Sequence, residues 1–253
     1  MRLPLRGLSD AELLRTHRAA KDSLDSFGRA IRRHGSLIQS WVAGADVVAL
    51  DHYPDGGVVD RRRGSQFFYH SHRAADAEHG HLHLFWHATR SGRRRRLGTP
   101  GRPGQSDWTR TAPSHLIAIG LDARGLPVSL FSVNHWVADG HWFDADTTLG
   151  MVRRFELQGS DGHADSCRWV TAFVRLYEPV IERVLRARDR RIASQPCPVA
   201  ALEDRRIEVV SMARLDWLAD LARIDDELKR RGLEPVTCPS PRSHGRPTDR
   251  PRT

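Results

Sequence analysis

Cysteine, lysine and long apolar runs are what this chain has least of, and each shortage closes off a class of protein. Its three cysteines, Cys167, Cys197 and Cys238, lie far apart and form no C-x-x-C pair. That spacing argues against a disulfide framework or a thiolate zinc knuckle and fits free thiols in a reducing compartment. No apolar run approaches the roughly 18 to 20 residues that cross a bilayer. The opening MRLPLRGLSD also lacks the apolar core of a signal peptide, about 7 to 15 residues long. The expectation is a cytoplasmic protein with no membrane partner. Of the 40 basic residues only Lys21 and Lys229 are lysines.

The formal net charge of +9 would invite nucleic acid if it were spread over a folded surface. It is not. Arg90, Arg93, Arg94, Arg95, Arg96 and Arg102 sit in an acid-free stretch, residues 90–105, and residues 238–253 add four arginines against Asp249. These two segments carry the whole excess, which leaves the rest of the chain formally neutral. Both are rich in glycine, proline and serine, a composition that favours mobile chain over packed surface. The sequence therefore predicts an arginine-rich loop at 90–105 and a disordered basic tail at 238–253, flanking or interrupting a single α+β domain over residues 1–237. Nucleic acid is an unfavoured partner on this reading. The sequence carries no signal of oligomeric state.

With 39% hydrophobic residues and a mean hydropathy of −0.52, 253 residues can bury one sizeable core. Ser9 followed by Glu12, with Leu8 and Leu13 placed as a staple, marks a helix start. Leu13, His17, Ala20, Leu24, Phe27 and Ile31 then recur at helical spacing and predict one apolar stripe, broken at Gly35 and resumed by Ile38 and Trp41. His17 on that stripe reads as a core-edge residue. Pro54-Asp55-Gly56-Gly57 is a turn signal. SHLIAIGL and LPVSLFSV around Asp122-Ala123-Arg124-Gly125 read as a hairpin. Extended pieces are expected at residues 153–158 and 206–210, and helices at 168–192, with Pro179 inside it, and 213–230. Helix, hairpins, then helices, without internal repeat or βαβ alternation, predict an antiparallel sheet covered on one face by helices.

Chemistry concentrates in SQFFYHSH and EHGHLHLFWHA. If these runs pair antiparallel with His72 opposite His79, then His70 faces His81 and Phe68 faces His83. Side chains alternate along a strand, so His70, His72, His79, His81 and His83 share one face while Phe67, Tyr69, Leu82 and Leu84 share the other. A shift of two residues in the pairing sum preserves this sorting and a shift of one would bury imidazoles among leucines, so the division into an imidazole face and an apolar face is robust. Opposed positions are about 4.5 to 5.5 Å apart, close enough for several neutral imidazoles to meet one zinc, iron, copper or nickel ion, with Glu78 adding an oxygen or orienting a ligand. Phe68 and Phe85 on the histidine face point to a partly enclosed pocket. Two other readings stand beside this one: a hydrogen-bonded structural cluster, and a solvated polar face.

A second polar knot runs from Asn134 to Asp144. There His135, Asp139 and His141 join Glu78 of the hairpin as candidate catalytic residues, as a general base, a further ligand or a substrate contact. A turn at Asp139-Gly140 anchored by tryptophans reads equally well. His52 and Tyr53 are weaker candidates.

HYPDGGVVDRRRGSQFFYHSHR together with EHGHLHLFWHA resembles an uncharacterised bacterial family, a domain of unknown function, over about residues 45 to 230. The resemblance implies a grouping and no activity. Gly64, His70, His72 and Glu78 are similar in order to the first metal-binding motif of cupins, which implies a cupin-like barrel as a minority fold. The glutamate stands too far along, however, and the second cupin motif is missing. The leading expectation is a metal-dependent enzyme acting on a small-molecule substrate, with zinc or iron as the cofactor. The alternative is a binding module, a nucleic-acid accessory or protein adaptor, that uses Arg61, Arg62, Arg63 and the 93–96 loop.

Overall fold

The computed structural model describes residues 1–71, 78–87, 113–159 and 162–234. The arginine-rich loop at 90–105, the tail at 238–253 and His72 lie outside the described residues.

Helix α1 (Asp10–His34) starts where the sequence placed it. Ser9 Oγ accepts from the Glu12 N–H and Glu12 accepts from the Ser9 N–H, the reciprocal capping box. Gly35, at φ 85, ends the helix. The stripe itself is rotated from the expected one: Leu13, Ala20 and Phe27 are buried along with Ser23, Ser26 and Ala30, while Leu24 and Ile31 are exposed. Small residues on the buried side let the backbone of α1 come close to α5 (Ala164–Ala193), and Leu24 and Ile31 have no room there. His17 is the core-edge residue expected, 3.4 Å from Asp225.

Six strands follow in simple sequential order, each antiparallel to the last: β1 (Tyr53–Asp60), β2 (Ser65–His70), β3 (Gly80–Trp86), β4 (Ser114–Leu121), β5 (Pro127–Val133) and β6 (Val209–Arg214). The sheet is open, with β1 and β6 as its edges, so the fold is α+β and the cupin-like barrel is not formed. Pro54-Asp55-Gly56-Gly57 does not separate two strands. It forms an irregularity inside β1, where the register jumps between Tyr53 and Val58 and both glycines take positive φ.

Short helix α2 (Gln39–Val42) is the stripe resumed beyond Gly35, α3 (His135–Ala138), α4 (Ala145–Val152) and α6 (Pro198–Ala201) were not expected, and α7 (Trp217–Arg230) completes the set. Residues 153–158 form no strand. β6 takes up residues 212–214, so α7 begins four residues later than its apolar spacing implied.

One face of the sheet presents Tyr69, Leu82, Leu84, Ile117, Ile119, Leu130 and Ala213 to the main core. Helix α5 lies on this face with Trp169, Phe173 and Tyr177 buried, and α1 packs on α5. Trp41 stacks on Tyr69 and meets Phe67 edge-on. The reverse face carries a smaller apolar cluster, Ala118, Phe131 and Val133, with Val137 and Ala138 of α3 against it. Strand β3 is buried along its whole length, which makes it the one strand whose polar residues need partners on both sides.

Asp165, near the start of α5, joins that helix to α1. Arg29 Nε lies 2.8 Å from Oδ1 and Arg33 Nη1 lies 3.0 Å from Oδ2. Burial alone would raise the Asp165 pKa. Arg29, then Arg33 and Arg168, outweigh it and hold the carboxyl below its ordinary value. A depressed carboxylate contributes stability above its unfolded pKa and loses it as the pH falls. Replacement of Asp165 by asparagine should cost about 1 kcal/mol near neutral pH. In urea unfolding at several pH values, the gap between the native chain and the variant should close below about pH 4. A gap independent of pH would contradict the assignment.

Candidate metal centre

The β2–β3 pairing is the one expected from closing the hairpin with His72 opposite His79. His70 opposes His81, Phe68 opposes His83, Tyr69 opposes Leu82 and Phe67 opposes Leu84. On the face away from the main core, His70, His81, Gly120 and Ser129 form one transverse row across four strands. Phe68, His83, Ala118 and Phe131 form the next.

The three imidazoles converge through the same atom. His70 Nε2 lies 2.7 Å from His81 Nε2 and 3.0 Å from His83 Nε2. Their ring planes stand at 80 to 85° to one another, with centroids 4.5 to 4.8 Å apart. All three side chains are buried, at 7%, 0% and 3% exposure. Such a group could hold a metal ion.

Two of the rings are turned outward at Nδ1 by fixed partners. His81 Nδ1 is 2.8 Å from Glu78 Oε1, and His83 Nδ1 is 3.0 Å from His115 Nε2. A carboxylate only accepts, so His81 carries its proton on Nδ1 and leaves the Nε2 lone pair for the cluster. Burial, and then the nearby charge of Arg188, pushes His115 down to about 3, which keeps it neutral and able to accept from His83. Glu78 reaches His81 across β4 at Gly120. A side chain there would strike Ser129 Oγ and come 2.5 Å from Glu78 Oε2. Glycine at that row position is therefore a requirement of the Glu78 contact.

Around the triad the wall is aromatic. Phe68 stacks on Phe85 at 5.4 Å, Phe85 meets His115 edge-on and Phe131 meets His81 edge-on. His52, expected to be structural, lies flat on Phe68 at 3.7 Å and 5.8 Å from the His70 ring. Its pKa is lowered by partial burial.

The other sequence candidates divide. His79 stands outside the triad: exposed, with Nδ1 2.7 Å from the Tyr69 hydroxyl. The cause is Gly80, which has no side chain to block the Tyr69 hydroxyl from reaching past it. His79 precedes the first residue of β3, so strand alternation does not govern it. His135, Asp139 and His141 line a separate small cleft, shared with His115 and Arg188. His135 is fastened by both ring nitrogens, to Glu203 and to the Gly140 carbonyl, and Trp136 is anchored to the carbonyls of Asp204 and Ile207. Arg61, Arg62 and Arg63 sit in the β1–β2 turn, where Arg63 pairs with Asp60 and Glu156. Arg93 to Arg96 fall outside the described residues.

His115 and Arg188 were missed in the sequence. Alternation assigns His115 to the core face with Ile117 and Ile119. A bulge at Leu116 shifts the register, so that His115 opposes Phe85 and joins the histidine face. Arg188 had no distinguishing signal among the arginines of its helix.

A family described as a domain of unknown function, DUF6969, matches residues 17–215, and the chain belongs to that family. No curated protein and no solved structure matches it. Among the described residues no helix is long and apolar enough to cross a membrane.

The contact with Glu78 makes the tautomer of His81 measurable. Long-range proton–nitrogen NMR correlation on metal-free protein should show His81 protonated at Nδ1 and bare at Nε2. The opposite tautomer would remove the basis for convergence.

Proposed function

We propose that this DUF6969 member binds one divalent transition metal ion, zinc or iron(II), through Nε2 of His70, His81 and His83. The observation behind this reading is the convergence of three buried Nε2 atoms, two of them with Nδ1 already committed elsewhere. In a neutral cluster only His70 is left to supply a proton between them, and one N–H cannot satisfy two facing lone pairs with good geometry. Protonating all three would place like charges side by side in a desolvated site. A cation meets every lone pair at once.

The fit is close. Bonds of about 2.0 to 2.1 Å at tetrahedral angles separate ligand nitrogens by about 3.3 Å, against the 2.7 and 3.0 Å found for His70 and its neighbours. Small rotations of the rings supply the difference. Three imidazoles suit zinc, iron, copper or nickel and are a poor match for calcium or magnesium. Glu78 serves as the outer carboxylate that orients His81, and His115 does the same for His83.

Three protein ligands leave a coordination position open, the arrangement of catalytic rather than closed structural zinc sites. We read the protein as a metal-dependent enzyme on a small substrate, in which a bound ion would polarise water or a substrate oxygen. The chain's own part is to exclude water with Phe68, Phe85 and Phe131 and to hold the imidazoles in one tautomer.

Metal analysis of protein made without a histidine tag should find close to one ion per chain, lost in His81→Ala and His83→Ala. Glu78→Ala and Gly120→Ala, which spare all three ligands, should weaken metal affinity by roughly 10- to 100-fold. A folded, metal-reconstituted chain that retains no ion would overturn the proposal.

A further inference from the structure

We propose that the cleft lined by Arg188 and His115 is an anion subsite, taking the carboxylate or comparable small oxyanion of a molecule bound beside the histidine triad. Arg188 belongs to α5 and its side chain is almost fully buried. Its guanidinium lies over the Trp142 ring at 4.5 Å. Nε is bound to Asp189 Oδ1 at 2.8 Å and Nη2 to the Phe143 carbonyl at 2.7 Å. Nη1 has no acceptor among the described residues, so it is the donor that Arg188 can offer to the cleft it lines.

A planar guanidinium anchored through Nε and Nη2, with Nη1 to spare, suits an oxyanion. Asp189 leaves that nitrogen spare. Its Oδ2 is occupied by the Ala145 N–H at 2.6 Å while Oδ1 serves Nε. Of the lining residues only Asp139 is a carboxylate, and it is exposed at the rim. His135 is wall rather than ligand, because both ring nitrogens are engaged.

His115 is the link. It lines the cleft with Arg188 and also touches His83 at 3.0 Å, so one imidazole separates the two compartments. Placing the anion next to the reacting centre rests on the metal reading; binding of the anion does not.

The test uses the full chain, metal-free and metal-loaded, titrated with acetate, inorganic phosphate and uncharged acetamide, and followed by ligand-observed NMR. Acetate or phosphate should bind saturably in both forms, and which of the two binds identifies the source chemistry. Acetamide should not bind. The double variant Arg188→Gln/Asp189→Asn removes both charges together and so avoids stranding one in the interior; it should weaken binding by roughly tenfold or more. Arg188→Lys, which keeps the charge and loses the fork, should give an intermediate loss. Absence of anion binding, equal binding of acetamide, or unchanged binding in the folded double variant would sink the subsite. Anion binding in a chain that takes up no metal would instead sink only the metal reading.

Discussion

His70 meets His81 because Tyr69 sits opposite Leu82, and Tyr69 sits there because its ring and the leucines beside it have a core to enter. Side-chain direction in a sheet has a period of two, so shifting β2 by one residue would send every imidazole into the helix-covered side and every apolar ring out of it. The apolar face therefore holds the polar face in register. Trp41 against Phe67 and Tyr69, and α5 across the sheet, stabilise the triad without touching it. The triad's own interactions need contribute little to folding for its geometry to be well defined.

That dependence explains what was readable in the sequence. The sorting of histidines to one face and Phe67, Tyr69, Leu82 and Leu84 to the other follows from alternation, and the pairing of His70 with His81 follows once the hairpin is closed with His72 opposite His79. For Glu78 the sequence left open whether it adds an oxygen or orients a ligand, and the structure places it against His81 Nδ1. His79 was not readable, because it lies outside β3, where a missing side chain at Gly80 lets Tyr69 capture it. The α1 stripe was misassigned for a different reason. Leu24 and Ile31 satisfy helical spacing as well as the serines and alanine that are buried, and only the closeness of α5 selects between them. The Pro54-Asp55-Gly56-Gly57 signal was correct about local backbone and wrong about topology, since a glycine pair serves a strand irregularity as readily as a turn.

The outer partners divide the labour around the three rings. Glu78 brings a negative charge to His81, through a gap that Gly120 leaves open. His115 brings a neutral acceptor to His83. Imidazole basicity rises with the charge of the outer partner, so the two rings are unequal donors by construction. The carboxylate stands on one side of the cluster only. The side toward Phe68 and His52 is aromatic.

The bulge at Leu116 has a consequence for how β4 tolerates changes of length. Looping that one residue out of the ladder is what lets the His115 ring stand on the histidine side, where it lines both triad and cleft. Deleting Leu116 would regularise the strand and still leave His115 opposite Phe85, whereas a ladder that kept Leu116 and paired it with Phe85 would swing the polar ring into the oily side. The strand can therefore lose the bulged residue and keep the ring in place, but it cannot absorb that residue into the ladder.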